Sequence, residues 1–183
     1  METKQTVEEM RRFQNDLHYD SMLAVPCMGR RGGLAILWKA DVDLHIQTYT
    51  QNHIDALILT NPTSPWRITG FYGKPKEHLR HETLALLKHL STQFSAPWLC
   101  IRDNNEILSS EEKEGRLPRP EHLMQNFWST LLYCGLIDLG FTGNMFTWEN
   151  GREGDAFVQE RLDRACANIA HAQTMCQYCS IPR

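Results

Sequence analysis

The sequence has no apolar run approaching the roughly 20 residues that a membrane-spanning helix requires. Its opening, Met1-Glu2-Thr3-Lys4 followed by Glu8-Glu9 and Arg11-Arg12, has no apolar region of the kind a signal peptide needs. These absences predict a soluble intracellular protein, nuclear or cytoplasmic, with no membrane partner. Positive charge is not in excess either. With a net charge of -3 and a pI near 6.2, any grip on nucleic acid must come from a local basic patch. A second Cys-x-x-Cys pair is missing. Of the six cysteines only Cys176 and Cys179 have ligand spacing, and with His171 they supply just part of a zinc site; the others sit in or near apolar runs and suit a reducing compartment. The glycine cluster from Gly29 to Gly33 lacks the Lys-Ser/Thr ending of a phosphate loop and precedes a strand-like segment, which excludes that motif. Nothing in the chain points to an obligate oligomer.

What is there fits one globular domain over residues 1–183, since that length with 42% hydrophobic residues supports a single core. Val7, Met10, Phe13 and Leu17 recur at helical spacing, predicting a helix over 5–18. Leu34 to Trp38 is a short apolar strand, and Val42, Leu44, Ile46 and Thr48 alternate with polar residues. Ala56 to Leu59 and Trp66 to Tyr72 add two strands, so an antiparallel meander is expected. Leu84, Leu87 and Leu90 predict a helix from about His81 to Phe94. Solvated histidines are the expected state of His78, His81 and His89. Glu111, Glu112, Lys113, Glu114 and Arg116 suit a solvated loop. Leu123, Phe127 and Leu131 then form the core stripe of a helix closed by Gly135. A turn at Gly143-Asn144, a strand ending at Trp148 and a strand over Glu160 to Arg164 complete the pattern, which is that of a layered α/β domain with two sheets.

The stretch Trp98 to Glu106 carries the chemistry. An apolar strand runs into Asp103 and Asn105, which strand alternation puts on one side. A carboxylate there can hold a hard cation or take a proton from water, and an amide can position an attacking oxygen. The same Asp-Asn-Asn run also suits an ordinary turn, because these side chains bend the backbone locally.

The ordered set Glu2-Thr3-Lys4, Gly32 to Trp38, Gly70-Phe71-Tyr72-Gly73, Trp98 to Leu108 and Glu160-Arg161-Leu162-Asp163-Arg164 resembles the endonuclease/exonuclease/phosphatase family. Asp138 to Gly143 and Phe146-Thr147-Trp148 with Asn150-Gly151 are similar, more narrowly, to the endonuclease domain of plant non-LTR (LINE-type) retrotransposons. The resemblance implies a two-sheet α/β sandwich and a nuclease using Mg²⁺ or Mn²⁺ with DNA as its ancestral substrate. It makes Glu2 a metal ligand together with Asp103, which would also activate or orient water. Asn105 would fix the nucleophile, Tyr72 would donate to a phosphate oxygen, and Asp163 would stand near the metal. Read without the resemblance, Glu2 is a terminal acid, Tyr72 a half-buried strand aromatic and Asp163 part of an Arg-flanked ion-pair cluster.

Three departures from the family pattern accompany the matches. The family's asparagine-bearing strand before the metal glutamate and its closing Ser-Asp-His strand have no counterpart, so the sandwich is expected to be incomplete at both ends. The family's Gly-Asp-Phe-Asn is Arg102-Asp103-Asn104-Asn105 here. Impaired activity is therefore expected. A catalytically dead module that binds nucleic acid or protein, and a phosphatase acting on a small phosphoester, are the alternatives.

Overall fold

Thr6 starts the first helix with a capping box: its Oγ1 accepts from the Glu9 N–H at 3.2 Å while the Glu9 carboxylate accepts from the Thr6 N–H at 2.7 Å. The helix, α1, runs Val7–Asp16. The computed structural model describes residues 3–29 and 31–170, without the side chains of Arg31 and Arg102. Glu2, His171, Cys176 and Cys179 lie outside the described residues.

Next come β1 (Ser21–Met28) and β2 (Arg31–Trp38), an antiparallel hairpin forming a two-stranded sheet. A proline inside an apolar run argues against a strand, and Pro26 made β1 hard to anticipate. Here the strand is an edge, and Cys27, beside the proline, sends its N–H outward to Gln5 C=O at 3.1 Å.

The larger sheet begins with β3 (Leu44–Thr50), β4 (His53–Ile58) and β5 (Trp66–Tyr72), the expected meander. From β5 the chain crosses over through α2 (Arg80–Ser91) to β6 (Trp98–Asp103), which lies parallel to β5. A parallel neighbour requires such a crossover. After β7 (Lys113–Glu114), α3 (Glu121–Tyr133) leads to β8 (Leu136–Asp138), β9 (Trp148–Glu149), β10 (Gln159–Glu160) and β11 (Asp163–Asn168). The strand order is β3-β4-β5-β6-β11-β8, while β7, β10 and β9 form a small separate sheet. Among the described residues no helix is long and apolar enough to cross a membrane.

Strand alternation divides the core. Phe71, Cys100 and Cys166 face Leu87 and Leu90 of α2 and Phe127 and Leu131 of α3, whereas the next residue, Tyr72, joins Ile54 in packing on Val25 and Leu34 of the hairpin. The sheet is thus covered by helices on one face and by the hairpin on the other. His78, His81 and His89 are exposed, as expected.

Three local expectations change. Trp148 begins a strand instead of ending one. Glu160 to Arg164 is not one strand: the chain leaves the small sheet at Glu160 and enters the large one at Asp163, because Arg161 turns inward to Glu112. The loop near Glu112 is not simply solvated either. Glu112 is only 6% exposed and takes Arg161 Nη1 at 2.8 Å and Arg164 Nη2 at 2.7 Å, while Asp138 takes Arg161 Nη2 at 2.9 Å and Arg164 Nη1 at 2.6 Å. Burial raises the cost of charge on both carboxyls, but the two guanidinium groups and backbone N–H donors outweigh it and hold both pKa values below normal.

Candidate active site

Three strands end side by side on one face of the large sheet. In the parallel β5–β6 pair Tyr72 lies beside Asp103, and in the antiparallel β6–β11 pair Asp103 lies beside Asp163. Directly paired residues project to the same face, so Tyr72, Asp103 and Asp163 form one continuous row. It belongs to the face on which the hairpin packs, since Tyr72 is part of that cluster.

Hydrogen bonds fix the ends of the row. The Gly73 N–H donates to Asp103 C=O at 2.6 Å, and the Asn104 N–H to Leu162 C=O at 3.2 Å. Gly73 is required by close approach, because a Cβ there would stand 2.5 Å from the Asn104 carbonyl oxygen. The N-terminal segment arrives at the same end: the N–H of Thr3, the residue after Glu2, donates to Gly33 C=O at 2.9 Å, and a Cβ on neighbouring Gly32 would lie 3.9 Å from Tyr72 Cε1.

Asn105 is not carried by the strand. β6 stops at Asp103, and Asn105 has the left-handed φ of 53°. Its N–H donates to Asp103 Oδ1 at 2.9 Å and its Nδ2 to Gly73 C=O at 3.0 Å. The alternation argument therefore does not apply: the segment is the turn that an Asp-Asn-Asn run suits, and that turn keeps Asn105 against Asp103 and Gly73.

Asp163 stands apart from the ion pairs that its neighbours make. Arg161 and Arg164 are engaged by Glu112 and Asp138, so the Arg-flanked cluster expected around Asp163 forms around other carboxylates. Burial pushes the Asp163 carboxyl above its usual pKa, against a hydrogen bond from the Thr147 hydroxyl that lowers it. Thr147 Oγ1 also accepts the N–H of Leu162 at 3.1 Å and of Asp163 at 3.0 Å. Sequence reasoning assigned Thr147 no role, although it lies in the Phe146-Thr147-Trp148 motif.

The row offers two carboxylates on adjacent strands, whose Cβ atoms are about 5 Å apart in such pairs. Oxygen donors of this kind suit a hard cation that keeps most of its water, as Mg²⁺ does with one or two carboxylates. Among the described residues no three His, Cys, Asp or Glu side chains converge into a metal cage.

No protein-family model and no curated protein matches the chain. Solved structures do. The endonuclease domain of TRAS1, a telomere-specific non-LTR retrotransposon, aligns over 91% of this chain and 81% of its own, with a TM-score of 0.61 and 14% identity. TDP2 of D. rerio, complexed with a single-strand DNA product, aligns over 92% and 70% with a TM-score of 0.58 and 13% identity. The human Nocturnin catalytic domain with a bound sulfate anion aligns over 92% and 67% with a TM-score of 0.57 and 12% identity. What they share with this chain is the fold, which is of the endonuclease/exonuclease/phosphatase type.

Proposed function

We propose that the chain is a divalent-metal-dependent phosphodiester hydrolase that nicks DNA, with its reaction centre at the row of Tyr72, Asp103 and Asp163. The observation that carries this reading is the register itself, which sets a phenol and two carboxylates side by side at the ends of β5, β6 and β11. The fold supports it, because the neighbours of the same fold include a retrotransposon endonuclease domain and a protein solved with a DNA product.

In this reading Asp103 and Glu2 hold Mg²⁺ or Mn²⁺, which when bound supplies charge against the phosphate oxygens. Asp103 also orients or deprotonates the attacking water. Tyr72 donates its hydroxyl hydrogen to a phosphate oxygen. Asn105, anchored by its own turn, helps to fix the nucleophile. Asp163, next to Asp103 in the row, stands near the metal, and burial raises its carboxyl above the usual pKa. Arg102 and Asn104, where the family pattern has a small residue and an aromatic, support the expectation of a slow reaction.

The test is incubation of the purified chain with supercoiled plasmid and Mg²⁺. Nicking that disappears with chelator and in Asp103→Ala is expected. Absence of nicking above background overturns the nuclease reading and leaves a binding module or a phosphatase acting on a small phosphoester.

A further inference from the structure

α3 turns Phe127, Thr130 and Leu131 into the core. On its outward side it presents a stripe of Glu121, Gln125, Trp128 and Leu132, all exposed and spaced by three or four residues. Trp128 is 59% exposed and Leu132 73%. Burying a leucine or an aromatic of this size is worth about 1.5–3 kcal/mol relative to leaving it in water. Two such side chains one turn apart on a single stripe therefore favour a partner.

The shape of the stripe says which partner. Beside Trp128 lies a hollow of about 400 Å³, walled by Leu108, Met124, Gln125 and Ser129. Leu132 stands one turn after Trp128 and Met124 one turn before it, each about 6 Å away along the helix axis. A projecting side chain and a hollow are thus placed at equal distances on either side of Trp128. A second copy of the same helix, run antiparallel about a twofold axis at Trp128, brings Leu132 of each copy over Met124 of the other and into its hollow. One patch that complements itself in this way is what a twofold interface requires. The charges agree. Glu121 stands at the N-terminal end of the stripe, and Lys88 of α2 stands at the other end, its Nζ 5.5 Å from the centre of the Tyr133 ring. Reversal of the second copy sets acid toward base at both ends and opposes the two helix dipoles.

We infer that α3 docks on α3 of a second copy of this chain, forming a reversible antiparallel dimer centred on Trp128. A contact confined to one 13-residue helix lies at the small end of specific interfaces, below about 1,200 Å² in all. The association is therefore weak and depends on concentration. Because α3 packs on the sheet face away from the hairpin, the row of Tyr72, Asp103 and Asp163 stays open in both copies. The inference does not rest on the nuclease reading above.

The experiment is sedimentation of the full chain from about 1 μM to about 1 mM, the range of weak association. A mass that rises from one chain toward two is expected. Leu132→Glu carries a charge into the apolar hollow and should weaken association about tenfold or more, with a thermal melt matching wild type because the residue is exposed. Should that variant melt lower, Leu132→Ala, which trims the same side chain without adding charge, takes its place in this comparison. The register is read by titrating labelled Leu132→Glu chain with unlabelled wild type or with unlabelled Gln125→Lys. The new ammonium lines the hollow that receives the new carboxylate, so the Gln125→Lys chain should bind about two- to fivefold tighter than wild type. A mass of one chain at every concentration overturns the proposal and leaves the stripe to a different partner. Association unchanged by loss of the Leu132 side chain puts the contact elsewhere and overturns it too. No preference for Gln125→Lys over wild type overturns the antiparallel arrangement.

Discussion

Asp163 faces Asp103 directly across the antiparallel β6–β11 pair, and the Gly73 N–H ties the carbonyl of that same Asp103 to the end of β5. Two acids in adjacent strands disfavour each other's charge. One of them, Asp163, is already held toward its protonated form by burial.

Asp103→Ala should lower nicking by about two to four orders of magnitude, the usual cost of one positioned catalytic group. The change also removes the acceptor of the Asn105 N–H. Asp103→Asn keeps an oxygen for that bond, so equal loss in both variants, read as plasmid nicking at saturating Mg²⁺, assigns the effect to the carboxylate charge. Full activity in Asp103→Asn would sink that assignment.

Asp163→Asn should lose activity yet melt higher at neutral pH. A carboxyl whose folded pKa is raised above its unfolded value destabilises the fold at pH values above both, and the penalty disappears as pH falls through the raised value. The variant should therefore gain about 1–4 °C in Tm at pH 7 and no advantage once the pH is low enough to protonate Asp163. A melt in metal-free buffer at both pH values checks the sign.

Glu112 behaves in the opposite way. Its folded pKa is lowered, so the stability it supplies is present above its unfolded pKa and is lost as pH falls through the folded one. Glu112→Ala leaves Arg164 buried with half its partners gone, and removal of one partner from a buried pair typically costs about 3–5 kcal/mol. Chemical denaturation at pH 7 should show that loss, and the gap from wild type should narrow in acid.

Asn105 separates backbone from side chain. Asn105→Gly keeps the left-handed turn and loses the amide bond to Gly73, whereas Asn105→Ala also meets strain at φ 53°, on the order of 1 kcal/mol. The alanine variant should melt below the glycine one. If amide placement is what matters to the reaction, both should nick equally poorly.

The sequence made the meander, the two helices over the sheet and the end of β6 at Asp103 readable, because apolar spacing reports directly on which face is buried. It did not reveal β1, whose Pro26 is tolerated at an edge where the next N–H turns outward to Gln5. Nor did it reveal that Glu112 is interior: its partners Arg161 and Arg164 are distant in the chain, and only β11 docking brings them together. At the site, Tyr72, Asp103 and Asp163 were named from family likeness, but their common row depends on strand register, which no local pattern encodes. Thr147 escaped because a threonine that organises two backbone N–H groups looks like any strand threonine.

The row also has a history within folding. Tyr72 and Asp103 come from one β5-α2-β6 unit, assembled over a modest length of chain, while Asp163 returns from far downstream after the small sheet and α3. Closing that long loop carries the larger entropic cost and the slower step. The first half of the row can therefore form before the second, and the perturbed protonation of Asp163 should appear only when β11 docks. Followed in time, the Asp163 carboxyl would serve as a clock for the completion of the sheet.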